Sequence, residues 1–209
     1  MERRRDRIDD YVDMLTSCAR KGNSDIGRTL AMQGLAKASA LSTSAAAELG
    51  SYANDTNPDI RYKALELLVS VGSSASYARS DLETRIRLGD SDERALAAKV
   101  IGGIGITSEH EILKISQTAS PVDNRWIYGV VAAYSGIRNV EVEQGLLEGL
   151  QEREYSVRLA VAEALGHYRP LTPKLRSQLL ERFNESLQAH PPGRRPESCG
   201  NCRSLWLES

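Results

Sequence analysis

Five arginines set a period that few folds tolerate: Arg28, Arg61, Arg94, Arg125 and Arg158 follow one another at intervals of 33, 33, 31 and 33 residues. Self-similarity at this length is the signature of stacked supersecondary units, each too small to bury its own apolar face. Apolar residues keep register with each arginine. Three positions on come Ala31, Ala64, Ala97, Tyr128 and Val161, and seven on come Leu35, Leu68, Ile101, Ala132 and Leu165. With offsets four and ten also mostly apolar, the pattern traces one face of a helix that starts near each arginine. Turn chemistry precedes it: Asn57 then Pro58, Asp90 then Ser91, Ser120 then Pro121, where a capping side chain or proline suits a first helical turn.

Between these helices lie more polar segments, near 75–88, 108–117 and 140–152, whose apolar residues again fall at helical spacing: Leu82 with Ile86, Ile112 with Ile115, Val142 with Leu146 and Leu150. Gly72, Gly105, Gly136 and Gly166 fall where a left-handed residue ends a helix without steric cost. Nothing alternates with period two, so the predicted fold class is all-α. Helix pairs are predicted near 4–39, 43–72, 75–105, 108–136 and 140–168. The chain's first helix turns Ile8, Val12 and Leu15 inward beneath charged residues, giving that end a polar cover. A final helix over 172–188, with Leu175, Leu179, Phe183 and Leu187 every four residues, caps the other end. One continuous array over residues 1–188 is expected, followed by a tail, 189–209, whose His190-Pro191-Pro192-Gly193 start reads as extended chain.

Composition narrows the function classes. Lys and Arg number 27 against 28 Asp and Glu, a net charge of -1, which removes bulk attraction to polyanions. The core must pack small side chains, because the chain has 22 Ala, two Trp and one Phe. The longest uncharged runs, Leu67 to Ala78 and Trp126 to Ile137, are 12 residues each, short of the roughly 18 needed to span a bilayer. No membrane contact is expected. Four arginines among the first seven residues, with no apolar stretch behind them, do not make a secretory signal. Three cysteines, an odd number, suit a reducing compartment, so the cytoplasm is the expected location.

The run Val157-Arg158-Leu159-Ala160-Val161-Ala162-Glu163-Ala164-Leu165-Gly166-His167-Tyr168 resembles the second helix of a short HEAT repeat, of the kind also found in phycobilisome lyase subunits. Asp59-Ile60-Arg61 through Val71-Gly72 and Asp92-Glu93-Arg94 through Ile104-Gly105 resemble it too. The likeness covers about residues 24–168 and departs most in the fourth repeat, where Tyr128 and Gly129 stand in place of Ala. The resemblance implies a right-handed α-solenoid whose second helices line a concave face, with a protein-binding, scaffold or adaptor role. Through the lyase subunits it also implies an alternative: a bilin-lyase-like enzyme or accessory subunit.

Several candidate sites follow. The arginine column offers either a ligand grip for phosphates or carboxylates, or a structural ladder of Arg28, Arg61, Arg94, Arg125 and Arg158 with neighbouring Asp59, Asp92 and Asp123. We expect the ladder, because a guanidinium at a buried edge needs a paired acid. On the remaining helical offsets the fourth repeat is apolar where the others are mostly polar. Trp126, Ile127, Val130 and Tyr134, flanked by Tyr62, Leu96, Leu159 and His167, therefore predict an exposed aromatic patch that anchors a protein or peptide. The competing possibility is that these side chains repack inward.

Cys199-Gly200-Asn201-Cys202 with His190 has the spacing of a zinc half-site but lacks a fourth ligand, so no metal is expected. No catalytic constellation and no phosphate-cradling glycine loop stands out, and no cofactor is expected. A bilin or similar flat ligand would have to stack on Trp126 and Tyr134. Nucleic-acid binding would rest on Lys37, Lys63 and Lys99 against Glu66 and Glu163, a thin basic footprint for that role.

Overall fold

A computed structural model describes the backbone of residues 2–21, 24–121 and 123–189, and the side chains of 7–20, 24–121 and 123–181. The described residues are helical, with no strand among them. Their internal contacts divide the chain at Pro170. One unit ends at Arg169, and a second contains the last helix.

In the first unit, helices pair in chain order. α1 (Glu2–Lys21) lies against α2 (Asp25–Ala38), and α3 (Thr43–Ser51) precedes α4 (Pro58–Val71). A 3-10 segment, Gly72–Ala78, leads into α5 (Arg79–Leu88), which packs on α6 (Ser91–Gly103). α7 (Glu109–Ser116) packs on α8 (Asn124–Tyr134), and α9 (Val140–Gly149) packs on both α8 and α10 (Tyr155–His167). The second helices of the pairs, α2, α4, α6, α8 and α10, also touch one another in succession, and α1, α3, α5 and α7 form a parallel series. Between the two rows sits a core of short aliphatics: Ala31, Leu35, Ala64, Leu68, Ala97, Ile101, Val161 and Ala164 are all buried. Offsets three and seven are core positions throughout, and offset four is too except at half-buried Ala162; at offset ten Ala38 and Tyr168 are buried while Val71, Ile104 and Ser135 are half-buried.

Local chemistry sets the ends. The Asn57 side chain accepts from the Asp59 amide, and Asp90 Oδ1 accepts from the Glu93 amide at 2.9 Å, each satisfying a donor that the helix leaves open. Gly72, Gly105 and Gly136 take positive φ angles of 66, 86 and 76°, all eleven residues after the arginine of their repeat. Gly166 does not join them. It lies inside α10, eight residues after Arg158, and the eleventh position there is Arg169.

In the second unit, α11 (Pro173–Ala189) begins with Pro173 while Thr172 Oγ1 accepts from the Leu175 amide at 3.1 Å. Leu175 is buried and Lys174 exposed. The side chains of Phe183 and Leu187, and the tail carrying His190, Cys199 and Cys202, lie outside the described residues.

Candidate functional site

The arginine column is a ladder, with partners more distant than sequence proximity suggests. Arg28 pairs with Asp55, Arg61 Nε with Glu93 Oε1 at 2.6 Å, and Arg94 with Asp123 Oδ2 at 2.8 Å. Arg125 pairs with Glu148 at 2.8 Å near the surface. In each case the acid belongs to the following repeat. Asp123 is thus a rung, but Asp59 and Asp92 are exposed, and Asp55 and Glu93 stand in their stead. The same guanidiniums hold their own repeat as well. Arg28 Nε donates to Ala19 O at 3.0 Å, Arg94 Nε to Ile86 O at 3.2 Å, and Arg158 to Glu152 O at 2.7 Å. A cation at these carbonyls complements the end of the preceding helix, and charge-assisted bonds of this kind outweigh neutral ones. Arg85 joins the Glu93 rung at 3.3 Å. These groups are occupied by one another, which removes them as a ligand grip.

The fourth-repeat patch is not a surface. Trp126 is 1% exposed, Ile127 and Val130 are fully enclosed, and Tyr134 is half-buried, so the expected outward aromatic anchor is corrected to a core helix. The cause lies in the neighbours. A Cβ on Gly102 of α6 would sit 2.5 Å from Tyr134 Cβ, one on Gly149 of α9 2.8 Å from Trp126 Cβ, and one on Gly145 2.3 Å from the Arg125 carbonyl oxygen. Glycines let α6 and α9 close against α8. Above it, α6 and α10 meet directly: Lys99 forms an ion pair with Glu163, and the Tyr134 and His167 rings stack at 4.3 Å between centroids, tilted by 34°. Burial, helped by Glu163, pushes the Tyr134 phenol up to about 12. Trp126 Nε1 donates to Asp123 Oδ1 at 3.1 Å, so the buried indole is satisfied. An enclosed Trp126 offers no stacking platform to a flat chromophore.

What stays open on the second helices lies elsewhere. Tyr62 on α4 is 41% exposed and Val69, seven residues on, 38%. Leu159 and His167 on α10 are exposed, while Leu96 on α6 is half-buried. Partial burial raises the Tyr62 phenol, and the carboxylates of Glu66, Asp92 and Asp90 add to that. Of the three lysines considered for nucleic acid, Lys63 pairs with Glu66 at 2.8 Å and Lys99 with Glu163, leaving Lys37 as the exposed one. Among the described residues no group of three or more His, Cys, Asp or Glu has metal-binding geometry.

Sequence reasoning missed one cavity of about 540 Å³ between α7, α8 and α9. Its walls include His110, Leu113, Tyr128 and Gln144. At one edge Tyr128 Oη donates to Glu109 Oε1 at 2.8 Å, and Asn139 Nδ2 donates to the same carboxylate at 2.5 Å. Burial raises the Tyr128 phenol, with Glu109 and Glu141 contributing and Asn139 opposing. The signal in the sequence is the shortened 31-residue interval before Arg125 together with Gly129 and Gly145, whose close crossing draws α9 onto α8. No protein-family model matches this chain, and no curated protein is significantly similar to it. Among the described residues no helix is long and apolar enough to cross a membrane.

Proposed function

We propose that the chain is a HEAT-like, right-handed α-solenoid that binds a protein or peptide along its row of second helices, as a non-catalytic scaffold or adaptor. The observation that carries this reading is the free face of α4, where Tyr62 and Val69 stand exposed on one side of the helix with Glu66 between them. An amphipathic tyrosine beside a β-branched aliphatic is the kind of anchor that recognition surfaces use. Extended rows of stacked helices present such residues to a guest across several repeats. Leu159 and His167 on α10 extend the row beyond the contact between α6 and α10. The centre of binding is thereby moved from the fourth repeat to the second.

The test is a displayed peptide library selected on the native chain. Enriched sequences are then measured against Tyr62→Ser combined with Val69→Ser, both surface changes. Binding is expected to weaken at least about tenfold, or 1.4 kcal/mol, with helicity unchanged. Failure to enrich any sequence, or equal binding by the variant, refutes the reading.

A further inference from the structure

The first helices of successive pairs adjoin through the middle of the array: α5 packs on both α3 and α7, and Arg79 Nη2 on α5 meets Glu111 Oε1 of α7 at 2.7 Å. Between α7 and α9 the arrangement changes. α9 packs on α8 and α10, and the cleft of about 540 Å³ opens between α9 and α7, floored by α8. That volume falls within the roughly 300–1,000 Å³ of ordinary ligand sites. Tyr128, Gly145 and Ser116 are buried at its base, whereas Glu109, Leu113, Glu141 and Gln144 on its walls are exposed. A ligand can therefore enter from solvent.

The two ends of the cleft differ in charge. At one end Glu109 accepts from Tyr128 Oη and from Asn139 Nδ2 through a single oxygen, Oε1. Glu141 follows Asn139 by two residues, and among the described residues its carboxylate has neither a hydrogen bond nor an ion pair. Burial raises the Tyr128 phenol and both carboxylates add to it, as expected of two acids gathered at one mouth. At the other end Arg125 is offset by Glu148 at 2.8 Å, while the side-chain amides of Gln117 and Asn124 make no hydrogen bond among the described residues. Leu113, 43% exposed, lies on α7 between the ends. Eight residues separate Glu109 from Gln117 on α7, about 12 Å at the helical rise.

We propose that this cleft binds an extended peptide by one basic side chain, a lysine or arginine. The aliphatic stem lies along Leu113, as long cationic side chains do on apolar surface, and the cation meets Glu109 and Glu141, where charge-assisted bonds form. The unbonded amides of Gln117 and Asn124 stand too far from the acids for the same side chain to reach, and they suit the peptide backbone beyond it. Uncompensated negative charge at the mouth repels phosphates, so a nucleic acid does not fit. The site lies on the row of first helices and does not depend on the face carrying Tyr62 and Val69.

The experiment uses the full chain on an array of short capped peptides, varied at every position except a central arginine, beside a matched array with citrulline there. Citrulline keeps the shape of arginine and removes its charge. Arginine members are expected to bind at least about tenfold more tightly than their citrulline counterparts, and Glu109→Gln combined with Glu141→Gln to abolish that preference. Because Glu109 also holds Tyr128 and Asn139, Glu141→Gln is measured alone: it removes an exposed, unbonded carboxylate, and the preference should fall at least about threefold with circular dichroism unchanged. The absence of an arginine preference, or a preference that survives in both variants, overturns the proposal. So does agmatine binding as tightly as the best peptides, which would make the occupant a small organic cation.

Discussion

Helices α4 and α8 occupy the same place in their repeats and have opposite fates. α4 buries Ile60, Ala64, Leu65 and Leu68 and leaves Tyr62, Glu66, Val69 and Ser70 exposed, the ordinary pattern of a helix with one dry side. α8 is buried from Trp126 to Ala133 without interruption. Both begin with a ladder arginine and both have the same period. The difference lies in what surrounds them: α8 is enclosed by α6, α7, α9 and α10, three of its closest approaches are made by glycines, and Lys99 with Glu163 closes over the top. The apolar stretch from Trp126 to Ala133 therefore meets neighbouring helices and not solvent.

The comparison breaks most visibly at Trp126. Trp126→Ala removes a fully enclosed indole and its bond to Asp123, and a loss of about 3–5 kcal/mol in unfolding free energy is expected, measured by urea titration. Tyr62→Ala, at a position of similar register on α4, should change stability by about 0.5 kcal/mol or less, as exposed substitutions generally do. Equal losses at the two sites would mean that α8 is no more enclosed than α4.

A second, smaller contrast concerns the glycines. Gly145→Ala sets a methyl group against the Arg125 carbonyl where neither backbone can easily give way, and a loss of about 1–3 kcal/mol is expected. Gly103→Ala meets nothing within 4 Å and lies in helical backbone of α6, so a gain of about 0.5–1 kcal/mol is expected there. Thermal unfolding of the two variants side by side separates close packing from helix propensity. If Gly145→Ala is neutral, the α8 and α9 crossing is looser than described.

These contrasts also explain how much could be read beforehand. The period, the all-helical class, the buried offsets and the existence of a ladder are local matters: they depend on residues within one repeat and on a spacing that repeats. The rungs themselves are harder to read because Asp59 and Asp92 are near their arginines in sequence, whereas the bonded acids come 23 to 32 residues downstream, across a turn. The fate of Trp126 and Ile127 was illegible for a related reason. A helical period tells which residues share a side, but not whether that side meets water or another helix. Gly102, Gly145 and Gly149 carried the answer, each on a neighbour rather than on α8 itself. The cavity beside Tyr128 is bounded by the same two helices, α8 and α9, together with α7.

The smallest effect separates the tyrosines of the two helices at high pH. Tyr134 is held up to about 12 in the folded chain against an ordinary value of 10.0. Between those limits the unfolded chain has released a proton that the folded chain keeps, so the folded state binds more protons and stability falls as pH rises. The contribution is fully present below about pH 10 and is lost on passing through about pH 12. Tyr134→Phe should therefore flatten part of the alkaline decline, followed by urea midpoints across that range. Tyr62→Phe should flatten it less, because its phenol is raised from a more exposed position. Part of the decline persists in both variants, since burial also raises Tyr52, Tyr128 and Tyr168. Should the two phenylalanine variants track each other through pH 12, the phenol on α8 is as open to water as the one on α4, and the closure of α6 and α10 over α8 is not tight enough to exclude it.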